Sequence, residues 1–133
     1  MLTTIYPRTL QGEIIAPSSK SITHRAIICA SFSNKQTRII HPLLCDDTLY
    51  TLKALALTGM EYNIDEFNNL IIKPCKKYQT VNEQIDCGES GSTIRFLAPI
   101  LTLKQGGISF KGSERLVQRI IDEDFNNFSF NFL

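Results

Sequence analysis

Lys20 and Arg25 stand five residues apart in Pro17-Ser18-Ser19-Lys20-Ser21-Ile22-Thr23-His24-Arg25, among three serines and just where a helical pattern begins. A helix N-terminus presents unpaired N–H groups and the positive end of the dipole, so it favours an anion. Two cations and the Ser21 hydroxyl added there make an oxyanion site for phosphate or carboxylate. A second stretch of the same kind follows at Asp86-Cys87-Gly88-Glu89-Ser90-Gly91-Ser92-Thr93-Ile94-Arg95. Gly88 and Gly91 allow close backbone approach, Ser90, Ser92 and Thr93 supply hydroxyls, and Arg95 falls on the first turn of the next helix. It lacks the G-x-x-x-x-G-K-[ST] spacing of a P-loop. Two such stretches in one chain point to one substrate, or a pair, with several negative charges. The plainer alternative in each case is a serine-capped helix with solvated cations.

Other residues could carry chemistry. Asp46 and Asp47 are a carboxylate pair, but they immediately precede a good helix, so they read first as N-terminal capping residues. His24, among the cations, is a lesser candidate for a direct role. Arg115 and Arg119 are four apart and share a face if that stretch is helical, either as a carboxylate-binding patch or as a solvated face. A metal site from Cys45, Cys87, His24 and His41 is disfavoured, because no pair has zinc-site spacing. The four cysteines, Cys29, Cys45, Cys75 and Cys87, form neither a C-x-x-C pair nor a disulfide framework, so they read as reduced, mostly buried thiols.

These residues need elements to hold them. Leu2 to Tyr6 and Gly12 to Ile15 read as short strands. Ser19 to Phe32 reads as a helix with Ile22, Ala26, Cys29 and Ala30 on its apolar stripe. Thr37 to His41 is a β-branched run ended by Pro42. A second helix after Asp46-Asp47-Thr48 buries Leu49, Leu52, Leu55 and Ala56, and Gly59 sits beyond its end, where φ > 0 is wanted. Met60 to Phe67 and Leu70 to Lys73 form a hairpin turning at Asn68-Asn69. Residues 75–82 are a polar loop. Glu83 to Cys87 is a strand, Gly88 to Gly91 its loop, and Ser92 to Leu103 a third helix with Ile94, Leu97, Ala98 and Leu101 inward. Pro99 interrupts its hydrogen bonding, and Gly106-Gly107 stops it. Ile108 to Phe110 is a strand and Leu116 to Asp122 a weak helix. This is an α/β (α+β) pattern with hairpins, not strict alternation.

A chain of 133 residues has one domain as its prior. With a net charge of +1, no broad field draws it to nucleic acid or to a membrane, so the cations act locally. No apolar run reaches the roughly 18 residues of a membrane span, and no signal peptide is visible, so a cytoplasmic protein is expected.

The motifs Ser19-Lys20-Ser21-x-x-His24-Arg25, Asp46-Asp47-Thr48, Gly88-Glu89-Ser90-Gly91-Ser92-Thr93-x-Arg95 and Gly112-x-x-x-Leu116-x-x-Arg119 resemble, in order and spacing, those of the 5-enolpyruvylshikimate-3-phosphate synthases. The resemblance covers about residues 10–120. The related UDP-N-acetylglucosamine enolpyruvyl transferases share that fold but have a different first motif. The resemblance implies repeated βαβαββ units in two domains, with the active site in the cleft between them. It implies transfer of the enolpyruvyl group of phosphoenolpyruvate to the 5-hydroxyl of shikimate 3-phosphate, in the shikimate pathway of aromatic amino acid biosynthesis, with no cofactor and no metal.

Residue by residue, the resemblance gives Lys20 contact with both substrates and the catalytic role. It gives Ser21 and Arg25 contact with shikimate 3-phosphate, and Gly91 and Arg119 contact with phosphoenolpyruvate. Ser92 and Arg95 are further candidates. Glu89 stands where many members carry asparagine, and a pairing with Lys20 is one use for it. Arg119 is followed by Ile120-Ile121, where the family has proline and an apolar residue. Members of the family are much longer, so residues 1–123 are expected to be a partial N-terminal domain. A separately encoded C-terminal half is then a candidate partner. The alternative is a non-catalytic anion-binding domain or an inactive remnant. Residues 124–133, with Phe125, Phe128, Phe130 and Phe132, are expected to depart from the fold as an atypical tail.

Overall fold

A computed structural model of the chain describes residues 3–4, 6–9, 11–77, 79–105 and 108–120. Helix α1 spans Lys20–Ser31 and is followed by strand β1, Thr37–Ile39. Then come α2, Asp46–Ala56, and the hairpin β2, Glu61–Ile64, with β3, Leu70–Lys73. The chain continues through β4, Ile85–Asp86, α3, Gly91–Gln105, β5, Phe110–Lys111, and α4, Glu114–Ile120.

β3 is the centre of a three-stranded sheet in the order β1-β3-β2, antiparallel to both neighbours. Thr37 and Tyr62 flank Ile72, and Ile39 and Ile64 flank Leu70. Directly paired residues share a face, so this register gathers one apolar surface from three strands. The core under the helices joins Leu70 and Ile72 to Ile27, Leu52, Leu55, Ile85, Leu97 and Leu101, all fully buried. β4 and β5 pair in parallel, Ile85 opposite Phe110, with α3 as the crossover. Among the described residues the order from α1 to β3 is α-β-α-β-β, which matches the last five elements of a βαβαββ unit. From β4 a second unit opens.

Each local start has a visible cause. Ser19 caps α1, its Oγ accepting from Ile22 N at 3.3 Å. The hairpin turn is wider than the sequence suggested, because Asp65 takes it over. Its carboxylate accepts from Phe67 N at 3.0 Å and from Asn69 N at 2.8 Å, and Asn68 adopts φ +57°. Gly59 has φ +94°, as its place beyond α2 required. Pro99 lies within α3.

Four expectations are corrected. Gly12 to Ile15 forms no strand: Ile14 and Ile15 are 94% and 100% exposed, and no described strand pairs with them. Thr3, Thr4 and Tyr6 are not in a strand either, and Leu2 and Ile5 lie outside the described residues. The buried face of α1 is Thr23, His24, Ile27, Ala30 and Ser31, so Ile22 and Cys29 are exposed. The thiols are not mostly buried: only Cys87 is, while Cys45 and Cys75 are intermediate. The stop at Gly106-Gly107 and the tail 124–133 lie outside the described residues.

Candidate functional site

The first turns of α1, α2 and α3 come together. Lys20, first residue of α1, donates to Asp47 Oδ2 at 2.5 Å. The Asp47 main-chain oxygen accepts from Thr93 Oγ1, on the first turn of α3, at 3.2 Å. One residue of α2 thus bridges the two cationic stretches. Thr23 fixes the approach: its hydroxyl donates to Ser19 O at 2.9 Å and accepts from Leu43 N at 3.0 Å, tying α1 to the segment that leads into α2.

Asp46 and Asp47 sit in the first turn of α2 but neither is its N-cap, which is Cys45. Thr48 closes that end, its Oγ1 accepting from Cys45 N at 3.0 Å. Hydrogen bonding to Asp47, then its charge, raises the Lys20 pKa above the usual lysine value. Lys20 is half-exposed and Asp47 more covered. Glu89 is exposed, and Lys20 pairs with Asp47 rather than with it.

Arg25 lies one turn on. Its Nη1 donates to the hydroxyl of Ser21, four residues before, and its guanidinium stands 5.4 Å from the centre of the Phe96 ring on α3. Lys20, Ser21 and Arg25 all remain exposed at the open end of α1.

On the other side, Gly91 opens α3 beneath two arginines. A Cβ there would stand 2.8 Å from Arg95 Nη1 and 3.7 Å from Arg119 Nη2. The α4 helix brings Arg119 to this place from 28 residues downstream. Its anchor is the buried Leu116, and Ser113, just before the helix, accepts from Leu116 N on its Oγ at 3.2 Å. Gly88, at φ +53°, is packed so closely on Tyr50 that a Cβ would lie 2.2 Å from the ring. That contact fixes the loop carrying Glu89 and Gly91.

The sequence model of the EPSP synthase family, 3-phosphoshikimate 1-carboxyvinyltransferase, matches residues 5–128. The chain belongs to the EPSP synthase family. It is 38% identical over 128 residues to a 3-phosphoshikimate 1-carboxyvinyltransferase of Clostridium botulinum, covering 93% of this chain and 30% of that protein. A Clostridium acetobutylicum enzyme of the same name is 38% identical over 127 residues, covering 93% and 29%. The chain therefore spans about three tenths of the length of these relatives. An EPSP synthase structure from Acinetobacter baumannii superposes with a TM-score of 0.72 at 24% identity, over 81% of this chain and 25% of that one. That likeness establishes the fold.

Some hydroxyls of the EPSP synthase motifs do not face solvent. Ser90 and Thr93 are fully buried. Their side chains bond to each other at 2.7 Å, and Thr93 Oγ1 meets Thr51 Oγ1 at 2.7 Å. Ser92 is partly exposed. His24 is also buried, with Nδ1 2.8 Å from Thr51 Oγ1, and burial lowers its pKa. Cys87 is buried too, and burial, with the Asp86 charge second, pushes its thiol up to about 12. His24, His41, Cys45 and Cys87 are not gathered into one cluster. A concavity of about 430 Å³ lies elsewhere, between Ser33, Asn34 and Gln36 and the stretch Lys73 to Lys76. Among the described residues no helix is long and apolar enough to cross a membrane.

Sequence reasoning singled out Lys20, Ser21 and Arg25, which lie together at the start of α1, and Gly91, Arg95 and Arg119, which the structure brings close to one another. It missed Asp47 as the Lys20 partner and Phe96 beneath Arg25. Local spacing held no signal for either, because each contact joins two different helices.

Proposed function

We propose that this chain supplies one wall of an EPSP synthase active site, the N-terminal portion of an enzyme that moves the enolpyruvyl group of phosphoenolpyruvate to shikimate 3-phosphate. The observation that carries this reading is the meeting of Lys20, Asp47 and Thr93, which sets both cationic stretches on one side of the fold. Shikimate 3-phosphate lies against Lys20, Ser21 and Arg25. Phosphoenolpyruvate lies against Lys20, the Gly91 backbone and Arg119, with Arg95 and Ser92 beside it and Glu89 at the rim.

In the reaction the 5-hydroxyl gives up its proton as its oxygen bonds to C2 of phosphoenolpyruvate and C3 gains a proton. The C2–O bond to phosphate then breaks as C3 loses a proton, which restores the double bond, and the net proton leaves with the phosphate. Lys20 and Arg119 stabilise the carboxylate and phosphate charge as it shifts, and Arg25 and Ser21 orient the acceptor. No cofactor or metal is required by this chemistry. The cleft excludes water only when its second wall is present, so turnover calls on the remaining part of the family sequence, in the cytoplasm, as a second chain or as a continuation. Residues 124 onward belong to neither wall in this reading.

Titration calorimetry with shikimate 3-phosphate tests the binding half. Binding that drops at least tenfold in Lys20→Ala and in Arg25→Ala is expected, and no binding by the unaltered chain overturns it. A phosphate-release assay with both substrates and a relative's complementary portion tests the catalytic half.

A further inference from the structure

His24 is fully buried at the junction of three helices, and its Nε2 has no hydrogen-bond partner among the described residues. Its Nδ1 begins a chain of contacts. Nδ1 is 2.8 Å from Thr51 Oγ1, which is 2.7 Å from Thr93 Oγ1. Thr93 Oγ1 is in turn 2.7 Å from Ser90 Oγ and 3.2 Å from the Asp47 main-chain oxygen. Ser90 Oγ also accepts from Thr93 N at 3.2 Å.

Counting protons decides the direction of this chain. Suppose Nδ1 carries the imidazole proton. Then His24 donates to Thr51, Thr51 to Thr93, and Thr93 to Ser90 Oγ or to the Asp47 main-chain oxygen. The imidazole proton and both threonine protons then have an acceptor within the chain, and Nε2 is left with only an unpaired lone pair. Suppose instead that Nε2 carries it. Thr51 must then donate to His24, and the short Thr51–Thr93 contact takes its proton from Thr93. Neither Ser90 Oγ nor the Asp47 main-chain oxygen then receives a proton from Thr93, and a buried N–H is left without an acceptor. A buried unpaired N–H is rarer and less favourable than an unpaired lone pair.

We propose that His24 is held as the neutral Nδ1–H tautomer and is a positioning residue: it sets the direction of a hydroxyl chain that locks Asp47, and hence Lys20, to the first turn of α3 that carries Gly91. The T-shaped contact with Phe96, at 6.3 Å between ring centres, holds the imidazole plane in place. The consequence for ligand contact rests on the function proposed above. The tautomer and the lock do not.

Nitrogen-15 spectra of the imidazole, recorded on this chain without ligand, test the first part. The expected result is a protonated Nδ1 and an unprotonated Nε2 at neutral pH. A protonated Nε2 overturns the proposal. The second part is tested by Thr51→Val, which removes the middle hydroxyl and keeps the shape, and by His24→Asn, which retains a donor where Nδ1 stands. In Thr51→Val the amide signals of Asp47 and Gly91 shift together and the Lys20 ammonium signal moves with them. His24→Asn keeps the unaltered positions, which a purely space-filling histidine would not explain. Unchanged Asp47 and Gly91 signals in a folded Thr51→Val protein overturn the lock. Shikimate 3-phosphate affinity in Thr51→Val falls at least fivefold. If the unaltered chain fails to bind that ligand, the proposed function fails while the spectra still decide the lock.

Discussion

Asp47 takes the Lys20 ammonium on its carboxylate, 2.5 Å away, across 27 residues of sequence. The pair is partly exposed, so its contribution to stability is below about 1 kcal/mol after solvent screening. Its larger effect is on titration. Asp47 raises the Lys20 pKa, so the pair's contribution is full below the ordinary lysine value of 10.5 and fades as pH rises through the raised one. Asp47→Asn should bring the Lys20 titration down, read from its Nζ signal, while the urea midpoint changes little. An unchanged titration would break the pairing.

His24 gives an acid-side prediction of opposite sense. Burial lowers its pKa from 6.5, the Asp47 charge works against that shift, and Lys20 adds to it. Arg25, one residue on, stacks over Phe96 on the same side and adds no negative charge. The unfolded chain binds the proton first, so the stability held above pH 6.5 should drain away as pH falls below it, toward the lowered value. Urea denaturation at a series of pH values checks this. His24→Asn should flatten the fall between neutral and mildly acid pH, and an equally steep fall in that variant would assign it to other groups.

The two loop glycines should respond differently to alanine. At Gly91 the new methyl meets the far end of Arg95, a flexible side chain, and the backbone is helical. Folding stability should change by less than about 1 kcal/mol, while phosphoenolpyruvate affinity falls, if the proposed site is right. At Gly88 the methyl would stand 2.2 Å from the Tyr50 ring at φ +53°. Gly88→Ala should lose about 1–3 kcal/mol, and Tyr50→Ala in the same chain should recover part of it. Strict additivity of the two changes in a double-mutant cycle would show that the contact is not the cause.

The face of α1 can be located by two substitutions. Ile27 is fully buried and Ile22 is 68% exposed. Ile27→Ala should cost about 2–5 kcal/mol, whereas Ile22→Ala should stay within about 0.5 kcal/mol. Thermal or urea unfolding distinguishes them at once, and similar losses would restore the stripe read from apolar spacing.

Helix α1 shows why part of the fold was legible and part was not. Its limits were readable, because Ser19 is a capping type and the helical spacing runs to Phe32. Its buried face was not, because three polar residues, Thr23, His24 and Ser31, lie on it. Thr23 and His24 go inside only because Ser19, Leu43 and Thr51 supply partners for their polar atoms. Apolar periodicity cannot register a buried polar group whose partners lie 20 and 27 residues away. The hairpin gives the same lesson at short range. Its strands were visible in Leu70-Ile71-Ile72, while its turn was set by the Asp65 carboxylate reaching forward to Phe67 and Asn69.

The sequence by itself determined the two cationic helix starts, because a capping serine, a glycine loop and a cation within one turn are local features with local causes. It also determined the family, through four motifs in register. Only the tertiary structure decided that Asp47 joins those starts, that Ser90 and Thr93 turn inward to His24, and that Arg119 comes over Gly91. Each depends on helices from separate parts of the chain packing on a shared core, and side chains at one helix start carry no record of which other helix will face them.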